Sequence, residues 1–295
     1  MNSSFLKNIA QLNLGVLLVS TSGVLGRAVT LWPPVTIGIR ALLAIGVLYA
    51  FLKFKKISLK VEKKDRGVVL LGGILMGVHW VTYFMALQLS TVAIGMLTIY
   101  TYPAMSSVLE PLILKTKFQK MHLLLGAIVL VGLYFLVPEF SLEHSYTQGI
   151  LFGLVSALAY ALRNILMKNQ VEKYHGSLLM WYQMVVIGIC LLPVSFTVSM
   201  DGLAEFWPQI VALAMLTTAI GHTMFLMILK HFNVTTAALM SSVQPIYGII
   251  MGFIFLDETP RLMTLFGGSL ILCTVIFESV RSARNRKKEL KLAEE

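Results

Sequence analysis

One stretch of this chain is written twice. Residues 92–135 reappear as 234–277 at a constant offset of 142 positions, without a gap. Leu97 meets Leu239, Pro103 meets Pro245, Met121 meets Met263, Leu123 meets Leu265, Gly126 meets Gly268 and Phe135 meets Phe277. Each copy reads as an apolar helix with a proline inside, a short polar turn, and a second apolar helix carrying a glycine. An internal repeat constrains architecture more than any local pattern does. The correspondence runs upstream once the offset relaxes by a few residues: Leu18, Val19, Ser20 and Arg27 fall on Leu154, Val155, Ser156 and Arg163, and Arg40 falls opposite Gln183. Matching polar and proline positions are what aligned leucines and valines alone would not give. They divide the chain into a first unit, 1–140, a second unit, 145–282, and a charged tail, 283–295.

The content of the units sets the class. With 57% hydrophobic and 13% charged residues, the chain departs from soluble domains, which carry about 25% charged residues. Ten runs reach the roughly 18 to 25 residues needed to cross a hydrocarbon core about 30 Å thick. They lie near 9–30, 34–53, 67–89, 92–114, 120–137, 147–168, 177–197, 206–229, 234–256 and 261–281. The expectation is therefore an all-α integral membrane protein of ten transmembrane helices.

The location of the +10 net charge matters more than its size. Apart from Arg27, Arg40, Arg163 and Arg261, all 24 Lys and Arg residues lie at the amino terminus, in the even-numbered loops or in the tail. This is the cytoplasmic excess of basic residues expected of a membrane protein, and it predicts both termini inside. It also removes the need for a nucleic-acid partner. Lys7 ahead of an apolar run resembles the start of a cleaved signal peptide, but the segment pairs with 147–168 and is read as a retained first helix. Cys190 and Cys273 sit inside apolar runs and suggest neither a disulfide nor a metal site.

Five crossings per unit is an odd number, so the second unit enters the membrane from the opposite side. Inverted repeats of this kind form a central site near the midplane and expose it alternately to the two faces. The topology favours transport by alternating access, with a passive channel or a membrane scaffold as the competing class. An intramembrane hydrolase would need a nucleophile beside a base. Ser177 and Ser269 follow glycines, and no metal cluster or phosphate-binding loop is written in the chain. No enzymatic activity and no cofactor are expected.

These features carry a resemblance. The paired hairpins with Pro103 and Pro245, the Asp257-Glu258-Thr259-Pro260 turn before a glycine-bearing last helix, and Arg40 in the second helix resemble the EamA branch of the drug/metabolite transporter superfamily. The resemblance covers nearly the whole chain. It implies an exporter of small metabolites or drugs in a bacterial inner membrane. One departure is visible: the first-unit turn, Lys115-Thr116-Lys117, lacks the acidic residue often kept there.

Polar residues inside the bilayer are functional candidates by default, since a charge at a helix centre costs about 2.5 to 3.5 kcal/mol on insertion scales. Arg40 lies roughly 9 Å inside the second helix at 1.5 Å per residue, either at a binding site or snorkelling. Asn13, Ser20 and Arg27 recur every seven residues, as do Gly149, Ser156 and Arg163, giving two inward faces. Arg27 and Arg163 lie near helix ends, where snorkelling competes with substrate binding. His79, with Trp80, and His222 occupy matching depths, and are the candidates for a coupling proton. Thr98, Tyr102, Ser106 and Glu110 recur every four residues on one helix arc, and Ser241, Gln244 and Tyr247 with Gly248 and Gly252 mark the repeated helix. These stripes are read as cavity lining, with ordinary interhelical hydrogen bonding as the alternative. Pro103 and Pro245 are the candidate hinges.

The predicted substrate-binding set is thus Arg40, His79, Trp80, Thr98, Tyr102, Ser106, Arg163, Gln183, His222, Ser241, Gln244 and Tyr247. Glu110 is the one acid well within a span, and the first helix has none. A cavity rich in Arg and His suits anionic or zwitterionic, amino-acid-like solutes over cationic drugs. Partners expected besides the solute are the lipid bilayer and protons, and ten helices suffice for a functional monomer.

Overall fold

The computed structural model describes residues 3–115, 121–136, 141, 143–196, 202–230, 234, 237, 241 and 243–294. The chain runs through α1 (Ser3–Ala28), α2 (Pro33–Phe54), α3 (Arg66–Leu89), α4 (Val92–Ile99), α5 (Tyr102–Leu114) and α6 (Met121–Leu136). It continues through α7 (Ser145–Lys173), α8 (Gly176–Leu191), α9 (Leu203–Ala212), a π-helical stretch (Leu213–His222), α10 (Thr223–Ile228), α11 (Gln244–Leu256) and α12 (Leu262–Glu294).

Local signals explain these boundaries. Pro33 and Pro34 open α2, where a missing N–H costs no bond. The Thr91 hydroxyl caps α4 by accepting from the Ile94 amide at 3.2 Å. Both units end their fourth helix in the same unusual way: Lys115 and Asp257, 142 positions apart, adopt left-handed φ values of 55° and 53°. The repeat is therefore visible in the backbone as well as in the residues.

Among the described residues six stretches are long and apolar enough to cross a membrane: Pro33–Phe54, Lys63–Leu89, Val92–Leu114, Ser145–Lys173, Gly176–Val194 and Leu203–Ile228. Leu124–Leu136, Gln244–Leu256 and Leu262–Thr274 are shorter apolar helices. With α1 they make the ten crossings of an all-α integral membrane protein. The start of the ninth crossing, from 234 to 243, lies largely outside the described residues. α12 runs without a break into the segment read as a charged tail.

The proline expectation needs correction. Pro103 and Pro245 do not sit inside kinked but continuous helices. α4 stops at Ile99 and α5 restarts at Tyr102, so Pro103 lies in a first turn, and Pro245 occupies the equivalent place in α11. A first turn tolerates proline because its amide has no intrahelical acceptor. The prolines inside helices are Pro111 in α5 and Pro208 in α9.

The packing obeys the inverted repeat. The first helix of each unit lies against the third crossing of the other: α1 against the π stretch and α10, and α7 against α3. The second crossings pair with each other as α2 on α8, the fourth as α4 on α11, and the last as α6 on α12. Small residues allow the close approaches. A side chain at Gly153 of α7 would overlap Thr98, and one at Gly267 would overlap the Gly132 carbonyl where α12 crosses α6. Gly126, by contrast, has open space around it. Outward positions such as Leu130, Tyr134, Phe253, Phe255, Leu262 and Phe266 are exposed, as a lipid-facing surface requires.

Gly153→Leu should strain the α7–α4 contact by about 1 to 3 kcal/mol and lower the melting temperature of the detergent-purified protein. Gly126→Leu should leave it unchanged.

Candidate functional site

Arg40 is fully buried. Its Nε donates to the Thr218 hydroxyl at 2.6 Å and an Nη2 hydrogen goes to the Thr217 hydroxyl at 2.5 Å. Both threonines pass their own hydrogens to the Leu213 carbonyl, at 2.6 Å and 3.0 Å. The bond from Thr218 spans five residues, a reach that belongs to the π-helical spacing. The guanidinium carbon lies 3.8 Å from the centre of the Trp80 ring, a cation–π arrangement worth most when water is excluded. Among the described residues no carboxylate forms an ion pair with Arg40. Its Nη1 has no hydrogen-bond partner.

The guanidinium forms one wall of a cavity of about 20 Å³, room for roughly one water. α3 contributes His79, Trp80 and Tyr83, and the α4–α5 break contributes Ile99, Tyr100 and Tyr102. Val19 and Ser22 of α1, Tyr160 of α7, His222 and Gln244 complete it. Aromatic rings dominate: His79 stacks on Tyr160 at 4.4 Å, Tyr102 meets Tyr160 edge-on at 4.9 Å, and His222 tilts against Trp80 at 5.3 Å.

The tautomer of His79 follows from counting hydrogens. Ser156 donates its single hydroxyl hydrogen to the His79 carbonyl at 2.9 Å, while the same oxygen lies 2.8 Å from His79 Nδ1. Nδ1 must then carry a hydrogen, and Nε2 is left as an acceptor. Tyr100 donates to the Ser241 carbonyl at 2.5 Å, and its hydroxyl stands 2.8 Å from the Gln244 side chain. Both contacts tie the two discontinuous helices together at their breaks.

Six of the expected residues meet at this cavity: Arg40, His79, Trp80, Tyr102, His222 and Gln244. The others lie off it. Thr98 is buried against α7 and satisfies its hydroxyl on the Ile94 carbonyl at 2.7 Å. Ser241 does the same on Ala237 at 2.8 Å. Ser106 is buried without a hydrogen-bond partner, and Tyr247 packs on the core margin. Arg163 neither snorkels nor lines the cavity: fully buried, it donates Nε and Nη2 to Gln183 Oε1 at 2.9 Å and 2.7 Å, and Nη1 to Asn164 at 2.8 Å. Arg40 likewise does not snorkel. Tyr83, Tyr100 and Tyr160 line the cavity, and Thr217 and Thr218 seat the arginine, although the sequence singled out none of the five.

A polar, aromatic pocket lined from both helical units is the candidate site of a bundle built as membrane transporters are. The chain belongs to the EamA-like transporter family, whose model matches it twice, at residues 7–137 and 147–280. It is 28% identical over 195 residues to an uncharacterized transporter of Archaeoglobus fulgidus, covering 66% of this chain and 70% of that one. It is 25% identical over 285 residues to the threonine/homoserine exporter RhtA of Escherichia coli, covering 95% and 92%. The pseudopaline exporter CntI of Pseudomonas aeruginosa is 20% identical, over 79% of this chain and 82% of its own. A crystal structure at 16% identity superposes on 94% of this chain and 98% of its own with a TM-score of 0.70, a likeness of fold.

Replacing Thr217 and Thr218 together by Val keeps the shape but strips Arg40 of both hydrogen-bond acceptors. Unmet partners of a buried group cost about 1 to 3 kcal/mol, so the double variant should melt lower than either single one.

Proposed function

We propose that the chain exports small zwitterionic or anionic metabolites, amino-acid-like in character, by alternating access. The observation that carries this reading is Arg40: a buried guanidinium on the cavity wall, held by neutral threonines and an indole face, with Nη1 free to donate. A buried charge is costly unless paired. A substrate carboxylate supplies the missing partner at a site where water competes little, and a charge-assisted hydrogen bond is about twice as strong as a neutral one. The ammonium of a zwitterion finds the tyrosine faces and the Gln244 amide oxygen in the same cavity. Relatives named for threonine, homoserine and pseudopaline export support the direction and the chemical class.

Cationic drugs are the poorer fit. A cation would enter beside Arg40 with no cavity acid to receive it among the described residues. His79 and His222 are the imidazoles of the cavity, and are where a coupling proton would be held. The distribution of basic residues supports cytoplasmic termini, and the bacterial exporters among the relatives support a place in an inner membrane. The site is assembled from one chain, which supports a functional monomer.

The test is a thermal-shift screen of purified protein against neutral amino acids, organic anions, sugars and cationic drugs, followed by counterflow in proteoliposomes. Amino acids or organic anions should raise the melting temperature and exchange across the membrane. Arg40→Ala should weaken that binding by about 10- to 100-fold, the worth of a charge-assisted bond of 1.5 to 3 kcal/mol. Arg40→Lys should not restore it fully, since an ammonium cannot span both threonines. Stabilisation by cationic drugs alone, or binding indifferent to Arg40, would overturn the reading.

A further inference from the structure

The Asp257-Glu258-Thr259-Pro260 turn stands outside the central site, yet it makes an ion pair and a backbone hydrogen bond between the units. Glu258 Oε1 pairs with Arg27 Nε at 3.0 Å, and Glu258 Oε2 accepts the Val92 amide at 2.7 Å. One carboxylate from the second unit therefore clasps the end of α1 and the first residue of α4. Charge complementarity acts twice, once with the guanidinium and once with the positive end of a helix. Nearby, the Gln88 amide donates to the Val29 and Leu31 carbonyls at 2.9 Å each, closing the α1–α2 turn, and Arg27 Nη1 reaches the Gln88 carbonyl at 3.4 Å.

The other end of the bundle is built differently. The residue aligned with Arg27 is Arg163, which is turned inward onto Gln183 and Asn164. The residue aligned with Glu258 is Thr116, which carries no charge and lies outside the described residues. Lys230, 142 positions after Gln88, borders a recess of about 320 Å³ with Gln11, Lys173 and His175. Gln11 and Arg27 are 16 residues apart on α1, roughly 24 Å at 1.5 Å per residue. The bundle is thus clasped at the Arg27 end and indented at the Gln11 end. Asp65 does bond Lys173 and Tyr174, at 2.9 Å and 2.8 Å, at the indented end. That contact joins α3 to α7, which pack along their whole length.

We infer that Arg27 and Glu258 form the outer gate of the transport cycle, broken when the central cavity opens outward. The inference rests on the transport reading and on cytoplasmic termini, which make the Arg27 end the outer one. Both gate residues are partly exposed, 36% for the Arg27 side chain and 18% for Glu258, so the bond is weak enough to break and remake in each cycle.

The experiment uses full-length protein with Cys190→Ala and Cys273→Ala, and adds Ser22→Cys in the cavity. A membrane-impermeant maleimide is applied to whole cells and to inside-out vesicles. Glu258→Gln should raise the labelling rate from the outside by about fivefold, the scale of an ion pair of this exposure, and lower it from the inside. Arg27→Gln should do the same, and the double variant should add nothing further, because both act through one bond. Unchanged outside labelling in both single variants, or additive effects, would overturn the gate. A rise confined to inside-out vesicles would overturn its placement on the outer face. Labelling needs no substrate, so failure of the gate and failure of the transport reading are separate results.

Discussion

A guanidinium buried without a carboxylate imposes conditions on everything near it. Taking such a charge out of water costs several kcal/mol, and Arg40 offsets this with two threonine hydroxyls and an indole face rather than an anion. These partners come from two other crossings. The π stretch supplies the threonines and α3 supplies Trp80, so the arginine on α2 fixes three helices at once. Arg163 repeats the device with Gln183 and Asn164. Two buried cations with neutral partners leave a positive potential in the bundle.

Inversion explains why the cavity sits where it does. Because first helices pack on third crossings of the other unit, His79 on α3 and His222 at the end of the π stretch come to the same cavity. The paired breaks before Tyr102 and Gln244 bring two interrupted helices together, and Tyr100 bridges them. An unbroken helix would present side chains there but no free backbone. The breaks instead place the Ser241 carbonyl within reach of a cavity-lining hydroxyl.

The fold was largely legible in the sequence, and the site about half so. The offset of 142 and the ten apolar runs gave the two inverted units, because lipid burial leaves few alternatives to spanning helices. Arg40, His79, Trp80 and His222 stood out because each is out of place in an apolar run. The four-residue stripe through Thr98 and Ser106 misled: a threonine or serine in a helix can satisfy itself on the preceding turn, so polar spacing alone does not mark a cavity. Arg163 lay on the correct face, but its depth could not be read without Gln183 beside it. Tyr83, Tyr100 and Tyr160 look like any membrane tyrosine until packing turns them inward. Nothing in the spacing of 213–222 announces a π-helix, and with it the roles of Thr217 and Thr218 stayed hidden.

The exchange of partners between units also governs how such a chain can be assembled. α1 and α3 emerge early, but the surfaces they bury belong to α7, the π stretch and α10, all of which belong to the second unit. The first unit therefore waits in the bilayer with polar faces uncovered, including Ser20 and His79, until residues near 228 have been inserted. Contacts of such sequence separation form slowly and leave intermediates exposed. The interlock that places one site between two units makes neither unit a self-sufficient folding body, so synthesis of the second half is itself a step in completing the first.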